Sequence, residues 1–434
     1  MISFKVTRYL YQSPLLLSDL ITCHTIMSFS SLGLSPSMLA VIDEMDYEVP
    51  TLIQSKAIPA ILSGKDVLAA AQTGTGKTAA FTLPITEILS NGSSVKPNQV
   101  RALILVPTRE LAVQVGLSIK GICDTFKLHS CCVFGGVKIN PQMMALRRGA
   151  DVLIATPGRL LDLYKQNAIK FTQLEILVLD EADRLLDMGF RDELQKLIAL
   201  LPVQRQNLMF SATFTDDIRT LAKNITSDPV EIAVNPQNTT AITIEQWLYP
   251  VDEKRKSALL AYLIKCNNWR QVLVFCKTKQ GANKLVHYLN KKSIKSAAIH
   301  GDKSQGARTR ALSEFKAGIV PVLVATDLAA RGLDINQLPQ VVNYDLPHIT
   351  EDYIHRIGRT GRAGLTGEAI SLVCADEFTK LSEIERLIKK LIMRKHIKAF
   401  EPAKALPESK LDTRPIKPKK PKKPKKPKKP NQPK

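Results

Sequence analysis

The stretch VLAAAQTGTGKTAAFTLPITEILS (67–90) decides the fold. Its first five residues are an apolar run of strand length, and its last fourteen read as an apolar helix. Between them, AQTGTGKT (71–78) matches the phosphate loop G-x-x-x-x-G-K-[ST], with Ala71 in place of the first glycine. The loop residues Ala71, Gln72, Thr73, Gly74, Thr75 and Gly76 let backbone N–H groups converge on phosphate. Lys77 reaches the β- and γ-phosphates, and the Thr78 hydroxyl suits magnesium. The N-terminus of the following helix adds a favourable dipole. Strand, phosphate loop and helix in that order predict an α/β nucleotide-binding domain.

Outward from this stretch the same alternation continues. ALILVPT (102–108), VLIATP (152–157), ILVLDEAD (176–183) and NLMFSAT (207–213) read as buried strands, separated by amphipathic stretches such as 109–126. Near-continuous apolar strands alternating with helices predict a parallel sheet covered on both faces. After a polar interruption at 235–243 the pattern resumes in QVLVFC (271–276), SAAIHG (296–301), PVLVATD (321–327), QVVNYD (340–345) and AISLVC (369–374). Two α/β units are therefore expected, which suits a chain of 434 residues at roughly 150 per domain. The expected boundaries are a leader (1–27), a first domain (28–234), a linker (235–244), a second domain (245–393) and a basic tail (394–434). The helix 377–392 is expected to be the last ordered element, its apolar face formed by Leu381, Ile384, Leu387, Ile388 and Leu391.

The ends of the chain differ in composition from its middle. Residues 1–26 combine Lys5 and Arg8 with an apolar stretch that Gln12, Pro14 and Asp19 interrupt, which is a poor signal peptide. Met27 is the expected natural start, with the leader disordered or not native. Residues 417–430 read KPKKPKKPKKPKKP, with proline at every third position. Proline fixes φ and lacks a donor, so a polyproline II coil with lysine-covered edges is expected there.

Charge points to a polyanionic partner. The chain carries 61 basic and 40 acidic residues, a net +21, of which 402–434 contribute +11. No apolar run of 18 residues predicts a membrane span. Seven cysteines without a C-x-x-C pair argue against a disulfide framework or zinc ribbon, and fit reduced thiols in a cytoplasmic protein.

The chemistry-bearing residues follow the strands. A carboxylate at a strand end beside a phosphate loop can hold magnesium, which assigns Asp180 with Thr78 as metal residues. Glu181 can take the proton of an attacking water. The Gln54 amide donates and accepts at once, which suits an adenine edge or, equally, a helix cap. Phe29 upstream can stack on the base, and the absence of N-K-x-D favours ATP. In YIHRIGRTGRAG (353–364), Arg356, Arg359 and Arg362 recur every three residues. Arg359 and Arg362 can stabilise γ-phosphate charge in the transition state, which requires the two units to close.

With these motifs in place, the chain resembles the DEAD-box ATP-dependent RNA helicases over residues 28–393. The series runs in order: the Q motif (28–56), AQTGTGKT, PTRELA (107–112), Gly135–Gly136, TPGR (156–159), DEAD (180–183), SAT (211–213), LVFCKT (273–278), GDKSQGARTRAL (301–312), VATDLAARGLDI (324–335) and HRIGRTGR (355–362). One departure is Asp46, where the family usually has glycine. Finer similarity in 136–163, 201–214 and 301–318 points to the bacterial RhlE-type subgroup.

The resemblance implies two tandem RecA-like domains with a disordered basic tail, ATP and Mg2+ as cofactors, and RNA as partner. It implies that Thr108, Arg109, Gly136, Thr156, Gly158 and Arg159 line an RNA path on the first domain. Lys277, Thr278, Arg308 and Thr326 would line it on the second, through sequence-independent phosphate and 2′-OH contacts. Asp183, Ser211, Thr213 and His355 would couple hydrolysis to closure, and Asp334 would touch the ribose. The implied activity is RNA-stimulated ATP hydrolysis that opens short duplexes or remodels RNA–protein complexes, with ribosome-assembly or RNA-decay proteins as partners. The alternatives are an ATP-gated RNA clamp and a DNA-acting helicase of the same superfamily.

Overall fold

The computed structural model describes residues 28–71, 75–234, 244–330, 335, 338–361 and 367–411. The chain divides into two compact units at residues 235 and 236.

In the first unit the strands are β1 (Val67–Ala70), β2 (Val100–Leu105), β3 (Ser130–Val133), β4 (Ala150–Ala155), β5 (Ile176–Leu179), β6 (Gln206–Ser211) and β7 (Val230–Ala233). They form one parallel sheet in the order β3-β4-β2-β5-β6-β1-β7. Side chains on a strand alternate between faces, so a sheet buried on both sides needs two apolar layers. Leu103, Leu105, Leu153, Leu177 and Leu179 pack into one layer. Ala102, Ile104, Val152, Ile154, Ile176 and Val178 fill the other.

The second unit repeats the design. Its strands are β8 (Ile244–Pro250), β9 (Val272–Phe275), β10 (Ser296–Ile299), β11 (Val322–Ala325), β12 (Gln340–Asn343), β13 (Gly367–Val373) and β14 (Met393–Arg394). The order is β10-β11-β9-β12-β13-β8-β14, all parallel. Val272, Val274, Val322 and Val324 face one layer, and Leu273, Phe275, Leu323 and Ala325 the other. Both units thus have the expected two-layered parallel architecture. No helix among the described residues is long and apolar enough to cross a membrane.

The C-terminal boundary differs from the expected one. The helix Phe378–Ile388 stops at Lys389, whose φ of 54° is left-handed. The chain then continues in folded form to residue 411. Met393 and Arg394 add an edge strand beside Trp247 and Leu248. Lys395 places its ammonium 3.5 Å from the Trp247 ring centroid. Phe400 packs on Tyr262 at 5.5 Å and lies under the Arg255 guanidinium at 5.2 Å. Arg394 donates from Nη1 to the Leu406 carbonyl at 3.0 Å. This strap carries no apolar periodicity because single aromatic and cationic anchors hold it. Ile244 likewise belongs to β8 rather than to the linker. The leader, linker residues 235–243 and residues 412–434 lie outside the described residues.

Candidate active site and nucleic-acid interface

In a parallel sheet every strand ends on the same edge, so strand order decides which motifs meet. In the first unit β5, β6 and β1 are neighbours. Their ends carry DEAD, SAT and the phosphate loop, and the backbone ties them together. Ala71 N donates to the Ser211 carbonyl at 2.9 Å. Ala212 N donates to Asp183 Oδ2 at 3.1 Å, and Thr213 N to Ser211 Oγ at 3.4 Å. Asp183, Ser211 and Thr213 are therefore brought together.

Lys77 opens the helix Lys77–Ser90 directly after Gly76, which is left-handed at φ 85°. The Lys77 side chain is 6% exposed, and its Nζ has no hydrogen-bond partner among the described residues. A buried ammonium without a partner is costly, and a phosphate oxygen would complete it. Its charge acts on Asp180, which is 3% exposed. Burial pushes the Asp180 carboxyl up to about 6, the Lys77 charge opposes this, and the neighbouring Glu181 adds to it. Glu181 sits at φ 52°, ψ 52°, and its N–H donates to Asp180 Oδ1 at 2.9 Å. Its own carboxylate accepts from Arg184 Nη1 at 2.9 Å. Lys77, Asp180, Glu181 and Arg184 thus form a buried cluster of two cations and two carboxylates.

Thr78 follows Lys77 in the same turn. No group of three His, Cys, Asp or Glu among the described residues can hold a metal ion. A magnesium ion at Asp180 and Thr78 would therefore draw most of its ligands from water and substrate phosphate, as this cation commonly does. The donor set fits such a shared ion.

Gln54 is 4% exposed and lies in the helix Leu52–Leu62. Its Oε1 accepts from Thr51 N at 2.8 Å, and its Nε2 donates to the Gly76 carbonyl at 3.3 Å. The cap and the nucleotide loop thus share one side chain. A Cβ on Gly76 would lie 2.6 Å from Gln54 Nε2, so the close approach requires glycine. Phe29 is buried and stacks on Tyr47 with ring centroids 6.4 Å apart. Asp46, beside Tyr47, holds φ at 56°, which explains why glycine suits that position. Gln72, Thr73 and Gly74 lie outside the described residues.

On the same sheet edge, β3, β4 and β2 adjoin one another, and their ends carry Gly136, Thr156 and Thr108. The Thr108 hydroxyl accepts from Leu111 N at 3.2 Å and caps its helix. The Arg109 guanidinium lies over Gly136, in space that a Cβ there would occupy. Gly158 faces open space. Arg159 is 8% exposed and donates to Gln142 Oε1 at 3.0 Å and the Val137 carbonyl at 2.9 Å. Its guanidinium holds the loop after Gly136.

The second unit repeats this arrangement with β10, β11 and β9 adjacent. Their ends carry the segments of Arg308, Thr326 and Lys277–Thr278. The Thr278 hydroxyl accepts from Gly281 N at 2.9 Å, with the backbone conformation of Thr108. Lys277 is exposed and its N–H donates to Asp345 Oδ2 at 2.8 Å. Arg308 is half-buried in the helix Gln305–Lys316, and Thr326 is buried. His355 and Arg356 lie in the helix Asp352–Ile357, and Arg359 is 6% exposed just beyond it. Arg362, Asp334 and the rest of 331–334 lie outside the described residues.

Two arginines emerge that sequence reasoning left without a role. Arg184 is one. Arg356 is the other: it is 2% exposed, donates from Nη2 to Asp327 Oδ2 at 2.7 Å and Nη1 to Asn343 Oδ1 at 3.1 Å, and covers the Phe275 ring. It fastens the helix before Arg359 to the segment of Thr326. Its place in the three-residue arginine spacing was the only signal. Burial pushes the thiols of Cys123 and Cys132 up to about 12 and that of Cys131 to about 11, which keeps these three protonated.

Comparison with known proteins agrees with this geometry. Residues 51–221 match the DEAD/DEAH box helicase family, and 255–364 match the helicase conserved C-terminal domain. The chain is 43% identical over 361 residues to the DEAD-box ATP-dependent RNA helicase RhpA of Helicobacter pylori (strain B128), covering 83% of this chain and 72% of that one. It is 40% identical over 367 residues to the DEAD-box ATP-dependent RNA helicase CshA of Geobacillus kaustophilus, covering 85% and 78%. The structure of S. cerevisiae Dbp5 bound to RNA and ADP BeF3 is similar, with a TM-score of 0.76, 33% identity and coverage of 85% and 95%.

Proposed function

Because the chain belongs to the DEAD-box family of ATP-dependent RNA helicases, and so hydrolyses ATP to act on RNA, we propose the following roles for its residues. Lys77 and the loop before it hold the triphosphate. Glu181 takes a proton from the attacking water while an oxygen–phosphorus bond forms and the bond to ADP breaks. Thr78 with Asp180 would hold a magnesium ion, which would supply positive charge to offset that of the phosphates. Arg359 and Arg362 stabilise the charge that develops on the γ-phosphate in the transition state. Gln54 recognises adenine with the amide capacity left after its bonds to Thr51 and Gly76, while Phe29 and Asp334 complete the nucleoside contacts.

RNA runs over the ends of β3, β4 and β2 and of β10, β11 and β9. Gly136, Gly158, the Thr108 and Thr278 hydroxyls, Arg109, Thr156, Lys277, Arg308 and Thr326 contact its backbone. Such contacts read no sequence. One strand of a short duplex is held in a shape that cannot pair. At roughly 1–2 kcal/mol per base-pair step, only a few pairs need to be lost for the partner to leave. Asp183, Ser211, Thr213 and His355 transmit closure to the hydrolytic site. The lysine- and proline-rich tail adds affinity by releasing counterions. We place the enzyme with the bacterial RhlE-type subgroup on the stretches 136–163, 201–214 and 301–318, working in the cytoplasm in ribosome assembly or RNA decay.

The buried Lys77 ammonium, which acts on Asp180 and has no hydrogen-bond partner among the described residues, carries this reading. Glu181→Gln tests it: the variant binds ATP and RNA but stalls. Rapid turnover would remove Glu181 as the base. ATPase stimulated by DNA as strongly as by RNA would favour a DNA-acting enzyme instead.

A further inference from the structure

We propose that Arg184 is a positioning residue for ATP hydrolysis, holding the Glu181 carboxylate where it takes the proton of the attacking water. The role rests on Glu181 being the base.

The backbone around Glu181 is fixed from both sides. Its carbonyl accepts from Arg184 N at 2.9 Å and from Leu185 N at 3.0 Å. Its N–H is held by Asp180. A left-handed backbone is unfavourable for a residue with a Cβ, and at a functional site such strain fixes the direction of the side chain. The side chain still has three torsions. Arg184 removes that freedom: Nη1 donates to Oε2 at 2.9 Å, with the two side chains 4% and 6% exposed.

Arg184 is itself firmly mounted. Its N–H donates to Asp183 Oδ1 at 3.0 Å, and Asp183 Oδ2 is bound to Ala212 N at the end of β6. The backbone that carries the guanidinium is therefore tied to the SAT segment. Lys77 acts on the adjoining Asp180, and a Glu181 carboxylate released from Arg184 and drawn toward Lys77 would lose its aim and compete with phosphate. A misplacement of about 1 Å can cost up to a hundredfold in rate.

The test uses the full-length protein and RNA-stimulated phosphate release. Arg184→Ala is expected to lower kcat about tenfold or more, with the KM for ATP and the RNA affinity within about twofold of wild type. Arg184→Lys should recover part of kcat, since it restores charge without the planar fork. In a Glu181→Gln background, Arg184→Ala should change the residual rate less than about twofold, because the group it positions is gone. If Arg184→Ala is too unstable to assay, Arg184→Met fills the same space and carries the same expectation. A kcat within about twofold of wild type overturns the proposal, as does an undiminished loss in the Gln background. Normal turnover by Glu181→Gln alone overturns the base assignment instead. Loss in Glu181→Gln with normal turnover in Arg184→Ala overturns the positioning role alone.

Discussion

Gln54 Nε2 donates to the carbonyl of Gly76 at 3.3 Å, so the residue proposed to read the base also anchors the phosphate loop. One side chain closes the cap of the helix Leu52–Leu62 and fixes the turn before Lys77. Gln54→Ala should therefore cost about 1 kcal/mol of stability through the lost cap and raise the KM for ATP more than it lowers kcat. Gln54→Glu should be worse for nucleotide, because a carboxylate cannot donate to the Gly76 carbonyl. Thermal melting with steady-state ATPase checks both. An unchanged KM in both variants would separate the cap from the nucleotide site.

The pH dependence of stability follows from Asp180, whose folded value of about 6 lies above its ordinary 3.8. Between those values the folded chain keeps a proton that the unfolded chain has lost. Stability from this group is therefore present at low pH, declines as pH rises through about 6, and stays low above it. Asp180→Asn has no such slope. The melting difference between Asp180→Asn and wild type should shift in favour of the variant by about 1 kcal/mol from pH 5 to 7. A difference that stays flat contradicts the raised value.

Asp46 holds a left-handed φ of 56° beside Tyr47. Replacing it with glycine removes the Cβ penalty but loosens the unfolded chain, so Asp46→Gly should stabilise by about 0.5 kcal/mol. The KM for ATP should not move. Chemical denaturation with ATPase assays measures both, and a destabilised variant would mean that the Asp46 side chain contributes more than its backbone costs.

The strap and the lysine-rich tail should separate on truncation. Deleting 412–434 should leave the melting temperature unchanged while reducing RNA affinity and the steepness of its salt dependence. Deleting 393–434 should also lower the melting temperature, since β14, Lys395 and Phe400 cover Trp247 and Tyr262. Equal melting of the two truncations would mean that the strap adds nothing to the fold.

Much of this was readable from the chain. The phosphate loop, DEAD and SAT each sit behind an apolar run, so their place at strand ends followed from period and composition. Their mutual contact did not: that β5, β6 and β1 are neighbours is a property of sheet order. Ser130–Val133 escaped notice because SCCV is only four residues long and only half-buried along its length. Met393–Arg394 had no signal at all, because a two-residue strand is defined by its neighbour β8. The Gln54 amide looked like either an adenine reader or a cap. The fold makes it a cap that touches the nucleotide loop, a combination that depends on Gly76 approaching from 22 residues away. Arg184 and Arg356 were hidden for the opposite reason, since neither a lone arginine nor an arginine spacing announces a buried carboxylate partner.

The central proposal is that Arg359 and Arg362 stabilise γ-phosphate charge during hydrolysis. RNA-stimulated phosphate release by Arg359→Ala and Arg362→Ala tests it most directly. Each variant should lose about a thousandfold in kcat, while nucleotide binding measured separately stays within a few fold of wild type. Turnover near the wild-type rate in both variants would mean that the second unit contributes no charge to the reaction, and would contradict the account.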